Sequence, residues 1–102
     1  MPTTRIPGDP RGTRAWRVLR DQVVDEEPTC RLRLIVCTGD SETADHIVRV
    51  VDDVTLAMER SNLRGSCNAC NLYREKLLRQ TGIDVVATTR LELAPDALGF
   101  FE

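Results

Sequence analysis

The placement of four cysteines constrains this chain more than any other feature. Cys67 and Cys70 form a C-x2-C pair directly before a run, Asn71 to Gln80, that reads as a helix. Cys30 and Cys37 form a wider pair, with Arg31 to Val36 between them. Two such pairs can converge on one tetrahedral zinc, a structural site with four thiolate ligands. Metal binding at such a site is coupled to folding, so it contributes stability directly. The same residues leave two other readings open. A C-x2-C at a helix N-terminus also suits a redox pair, where the thiolate is favoured, although the longer βαβ pattern that usually carries one is not present. Four thiols can also be small buried hydrophobes.

A metal cross-link answers a need visible in the composition. The chain has 102 residues, enough for one small domain, and its only aromatics are Trp16, Tyr73, Phe100 and Phe101. Few large side chains are available to fill a core, which is where a structural metal helps most. The N-terminal residues MPTTRIPGDPRGTR lack the apolar core of a signal peptide. No apolar run approaches the roughly 18 residues that a membrane-spanning helix needs. A cytoplasmic protein with no membrane association is therefore expected, and in a reducing compartment clustered cysteines point to metal rather than disulfides. His46 is the single histidine, which excludes a zinc site built from several imidazoles.

The formal net charge is −2, but the charges are striped. Residues 1–20 carry five arginines against one aspartate, and residues 61–80 carry Arg64, Arg74, Lys76 and Arg79 against Glu75. Two basic blocks brought together by folding can grip phosphate despite an acidic total. They can equally be two solvated faces.

Residues 1–12, with Pro2, Pro7, Gly8, Pro10 and Gly12, read as a flexible extended arm. Thr13 is placed to cap a helix that runs to about Glu27, where Pro28 ends it. Trp16, Leu19 and Val23 recur at helical spacing along it, an apolar stripe with Trp16 as core anchor. Residues 30–37 read as a β-like knuckle and Thr38 to Ser41 as a turn. Ala44 to Val51 is rich in β-branched residues and predicts a strand, broken at Asp52-Asp53. Leu56 to Arg60 suggests a helical turn, Asn62 to Gly65 a connector, and Gly82 a stop for the helix over 71–80. Ile83 to Leu93 predicts one or two strands, and Phe100-Phe101 suits docking on the core or a partner. The domain is thus expected over 13–82, with an extension over 83–102.

In order along the chain, Arg14-Ala15-Trp16-Arg17-Val18-Leu19-Arg20, Pro28-Thr29-Cys30, Ala44-Asp45-His46-Ile47-Val48 and Asn62-Leu63-Arg64-Gly65-Ser66-Cys67-Asn68-Ala69-Cys70-Asn71 resemble the HNH endonucleases, particularly the small phage-type members. The resemblance covers Trp16 to Lys76. It implies an α+β chain with a ββα-metal fold, an N-terminal helix and a four-cysteine structural Zn2+ site. It implies a metal-dependent DNA endonuclease with His46 as general base. Asp45 and Asn71 would hold a catalytic Mg2+ or Mn2+, and Asn62 would brace the loop that orients His46. Asn71 stands where the family usually closes the motif with histidine, so the motif reads H-N-N. Arg74 lies one helical step beyond it, on the same face, where as a catalytic residue it could reach a phosphate bound at the metal. Arg14, Arg17, Arg20, Arg64, Arg74 and Lys76 are the residues expected to meet double-stranded DNA. A small phage-type member implies a place beside terminase in DNA packaging. A monomer would nick, and a homodimer would be a route to double-strand cuts. Two other readings share these residues. One is a catalytically weak zinc-stapled DNA-binding or assembly module on the same fold. The other is a redox or zinc-sensing regulator. One geometric condition attaches to the nuclease reading. Strand alternation sends Asp45 and His46 to opposite faces, so both serve one site only if the strand ends or bends there.

Overall fold

A computed structural model describes residues 6–86. The order of elements is α1 (Arg14–Glu26), β1 (Thr43–His46), two short 3-10 turns (Val54–Leu56 and Arg60–Asn62), β2 (Leu63–Ser66) and α2 (Asn68–Thr81). This is a small α+β architecture in which an antiparallel β-hairpin with a long connection leads into a helix. Among the described residues no helix is long and apolar enough to cross a membrane.

Thr13 caps α1 as its sequence position suggests: its hydroxyl accepts from the Trp16 N–H at 3.1 Å. Trp16 and Val23 are buried, and they pack with Ala44 of β1 and Leu63 of β2 into one apolar cluster, with Leu19 beside it. The amphipathic stripe of α1 thus lies across both strands. A second cluster gathers Cys30, Leu32, Cys67, Cys70 and Val86. Half of the buried apolar interior is therefore organised around the cysteines.

The sheet is antiparallel, with Ala44 opposite Gly65, Asp45 opposite Arg64 and His46 opposite Leu63. The strand expected over 44–51 is shorter than its β-branched composition suggests. It stops at His46 because the Asn62 side chain replaces the ladder beyond that point. Asn62 Oδ1 accepts from the Val48 N–H at 2.8 Å, and Asn62 Nδ2 donates to the Val48 carbonyl at 3.1 Å. The segment expected to be a connector, 62–65, is largely the partner strand β2.

α2 starts earlier than expected, at Asn68, because Cys67 itself is the N-cap: its Sγ accepts from the Cys70 N–H at 3.3 Å. Gly82 closes the helix in the left-handed region (φ 74°), where its N–H reaches the Leu78 carbonyl. The knuckle over 30–37 forms no strand. It is a loop closed at its base by the isolated bridge between the flanking residues Thr29 and Asp40. Residues 6–12 are not extended either. They turn twice, with the Asp9 N–H on the Ile6 carbonyl and the Thr13 N–H on the Pro10 carbonyl. Residues 83–86 show no strand, and the rest of the strands expected over 83–93, like Phe100-Phe101, lies outside the described residues.

Candidate active site and cysteine centre

His46 is the last residue of β1 and is buried. Its ring stacks on the indole of Trp16, with centroids 4.9 Å apart and planes 21° from parallel. Its Nε2 lies 2.9 Å from the Ala57 carbonyl oxygen. A carbonyl can only accept, so Nε2 carries the proton, and in the neutral ring Nδ1 keeps a lone pair. Asn62 fixes the loop that supplies this carbonyl: besides gripping Val48, its Nδ2 donates to the Leu56 carbonyl at 3.2 Å. Burial pushes the imidazole pKa below its ordinary value, outweighing the opposite pull of the Ala57 hydrogen bond, and Arg11 acts in the same direction as burial. The ring is therefore held neutral near pH 7.

Asp45 and His46 lie on opposite faces of the strand, one toward Arg74 and the other toward Trp16. Both nevertheless line one cavity of about 320 Å3, together with Arg11, Asn71 and Arg74. The strand ends at His46, so the cavity opens around its end. Asp45 is almost fully buried. Its Oδ2 accepts from Arg64 Nε at 2.7 Å, and Arg74 NH1 donates to both carboxylate oxygens at 2.9 and 3.1 Å. Arg74 is itself locked. NH1 also donates to the His46 carbonyl at 2.6 Å, and NH2 donates to the Ile47 carbonyl and to Asp84. A guanidinium can satisfy this many acceptors only because its donors are splayed in a plane.

The four cysteines meet although the two pairs are far apart in sequence. All four Sγ atoms lie within 4.8 Å of one another. Backbone N–H groups point at them, Leu34 at Cys70 Sγ (3.3 Å) and Thr38 at Cys67 Sγ (3.5 Å). Burial alone would raise the Cys67 pKa, but the N–H donors of Thr38 and Cys70 overcome it and bring the thiol down to about 6. Cys70 goes the other way, raised by burial and by its neighbouring thiols. Cys30 is lowered as well, its burial outweighed by backbone N–H donors, whereas Cys37 is raised, so two thiolates are favoured and two are resisted as like charges crowd. A bound cation relieves that repulsion, and the geometry is one that can hold a metal ion.

The basic residues divide. Arg14, Arg17 and Lys76 are exposed, and Arg20 is half-buried beside Asp21. Arg64 and Arg74 are buried against Asp45, so they are not the surface cations that the charge blocks suggested. Sequence reasoning also passed over several residues that the fold brings to the cavity: Arg11, Arg49 and Glu75 line it, and Trp16 closes on His46. No spacing rule could find Arg11 or Arg49. The Trp16 stack was open to a guess only through the position of Trp16 on the apolar stripe.

Comparison with solved structures finds a match to an HNH endonuclease of the deep-sea thermophilic bacteriophage GVE2, crystallised with a manganese ion. The alignment covers 71% of this chain and 82% of that one, at 24% identity and a TM-score of 0.53. This chain has the HNH endonuclease fold. Neither models of protein families nor curated proteins give a match. Within the HNH fold, β1, β2 and α2 form the ββα unit, α1 packs across its strands, and Cys67 and Cys70 at the start of α2 join it to the cysteine cluster.

Proposed function

We propose that this chain is a metal-dependent DNA endonuclease with His46 as general base. The observation that carries the reading is the state of His46. Its Nε2–H is committed to the Ala57 carbonyl, the ring is kept neutral by burial, and Asp45 and Asn71 share its cavity. Phosphodiester hydrolysis needs a base that is unprotonated near neutral pH and fixed in one orientation, and these contacts provide both. Nδ1 would take the proton from the attacking water. Asn62 would hold the Leu56–Ala57 loop so that the ring does not rotate, and Trp16 would exclude bulk water from one ring face.

Asp45 and Asn71 both offer oxygen donors to the cavity, a set that suits Mg2+ or Mn2+. A divalent ion held there would supply positive charge to the scissile phosphate and leaving oxygen. Arg74 would act from within, fixing Asp45 and the His46 carbonyl rather than reaching out to DNA. The four cysteines would hold a structural Zn2+, consistent with their geometry and the depressed Cys67 thiol. Double-stranded DNA is the proposed substrate, with exposed Arg14, Arg17 and Lys76 as backbone contacts. A place beside terminase in phage DNA packaging is part of the proposal, on the sequence resemblance to small phage-type members alone.

A second reading rests on Asp45. Both of its oxygens accept from arginines, so a cation there must share the carboxylate with two guanidiniums. That favours a zinc-stapled DNA-binding module with weak catalysis. Supercoiled plasmid separates the two. The nuclease reading expects nicked or linear product with Mg2+ or Mn2+, none in EDTA, and at least a hundredfold loss in His46→Ala. DNA retention without cleavage under either metal would favour the second reading. Cleavage by His46→Ala at the wild-type rate would remove His46 from the chemistry.

A further inference from the structure

Two arginines line the cavity beside His46 without belonging to any motif. Arg11 arrives from the turn before α1, and Arg49 from the loop after β1. Each is backed by a carboxylate on the same edge of its guanidinium. Arg11 Nε donates to Asp9 Oδ1 at 3.0 Å and NH2 to Asp9 Oδ2 at 2.8 Å. Arg49 Nε donates to Glu75 Oε2 at 2.9 Å and NH2 to Glu75 Oε1 at 3.1 Å. Asp52 forms an ion pair with Arg49 NH1 at 3.8 Å, too long for a hydrogen bond. In both residues the Nε edge is pinned and the NH1 corner is not. A fork fixed in this way has already lost its rotamer freedom, so an anion meeting it gains a charge-assisted hydrogen bond at small entropic cost.

The cavity wall carries Arg11, Arg49 and Arg74 beside Asp45 and Glu75, and Asp9, Asp52 and Asp84 pair with the same arginines. Arg74 is buried and spent on Asp45 and Asp84, so the guanidinium corners left for an anion are those of Arg11 and Arg49. From Arg11 the exposed Arg14 and Arg17 follow at intervals of three residues, extending the cationic surface outward along α1.

We infer that Arg11 and Arg49 form a phosphate clamp that grips the polynucleotide backbone where it enters and leaves the cavity. The inference rests on the nuclease reading for its substrate class, but the clamp itself needs no metal. It is tested by binding of a fluorescent 20-base-pair duplex, followed by anisotropy without added Mg2+ or Mn2+ and without chelator across a salt series. Wild-type protein binds with a salt-dependent affinity. Arg11→Gln and Arg49→Gln each weaken binding about tenfold or more and lower the slope of log affinity against log salt by about 1. Arg11→Lys keeps the slope. Glu75→Gln removes the same ion pair as Arg49→Gln but keeps the cation, so it binds at least as well as wild type. No wild-type binding without added Mg2+ or Mn2+, or an unchanged slope in both glutamine variants, overturns the clamp. If Glu75→Gln loses affinity as Arg49→Gln does, the effect is structural and the clamp fails at Arg49. Plasmid cleavage by the wild type is read separately. Cleavage with an unchanged slope sinks the clamp alone, whereas no cleavage with the expected slopes sinks the nuclease reading alone.

Discussion

At the scale of single residues, the state of His46 sets the pH behaviour. Its pKa lies below the ordinary 6.5 because burial disfavours the charged ring. A general base must be unprotonated, so kcat/KM should rise with pH and level off, with its midpoint below 6.5. A profile still climbing above pH 7 would assign the proton to another group. Stability follows the same sign. The folded pKa is depressed, so the contribution is present above the unfolded value and is lost as pH falls through the folded one. Arg74 sets a different kind of limit. It holds Asp45, Asp84 and two backbone carbonyls at once. Arg74→Gln would leave those buried acceptors short of donors and cost about 3–5 kcal/mol, measurable by urea unfolding. A loss below about 1 kcal/mol would mean that Arg64 alone suffices for Asp45.

At the scale of elements, the informative case is β2. Its four residues, LRGS, show no alternation, because both of its faces are covered and all four are buried. Gly65 is there for contact. A Cβ at that position would strike the Glu27 carbonyl oxygen and the Ser41 hydroxyl. The Gly65 N–H instead donates to the Glu27 carboxylate at 2.8 Å, and its carbonyl accepts from the Arg31 N–H. Burial opposes ionisation of Glu27, yet this N–H and Arg60 keep its pKa low, so the end of α1 is tied to β2 by a charged side chain. Gly65→Ala should force α1 and β2 apart and lower the unfolding free energy by about 2–3 kcal/mol, read from thermal or urea melts. A melt like that of the wild type would show that the α1–β2 approach can relax.

At the scale of the molecule, two small clusters share the work of a core. One is apolar in the ordinary way, built on Trp16, Val23, Ala44 and Leu63. The other is built on cysteines. In a chain with few aromatics, the second cluster is expected to depend on its metal. Purified protein should carry stoichiometric zinc by elemental analysis. Removing it with a strong chelator should take away on the order of 10 kcal/mol of apparent folding free energy and abolish the cooperative melt. A chelated, metal-free protein that still melts cooperatively would mean that the thiols pack as ordinary small hydrophobes.

The sequence by itself determined what is local or repeated. The Thr13 cap, the Trp16–Val23 stripe and the Gly82 stop each depend on neighbours within a turn or two, where spacing and backbone chemistry decide the outcome. The ordered cysteines and the Asp45-His46, Asn62 and Asn71 positions pointed to the fold, because that pattern survives in the chain order. The tertiary structure decided everything that depends on residues distant in sequence. It cut the predicted strand at His46, because Asn62 takes the backbone groups of Val48 that a ladder would have used. It buried Arg64 and Arg74 against one aspartate, where a charge count had placed them on the surface. It turned the N-terminal arm back so that Arg11 lines the cavity beside His46. A side chain's charge is written in the sequence, but whether that charge meets water, a buried carboxylate or a substrate is fixed only when the chain has closed around it.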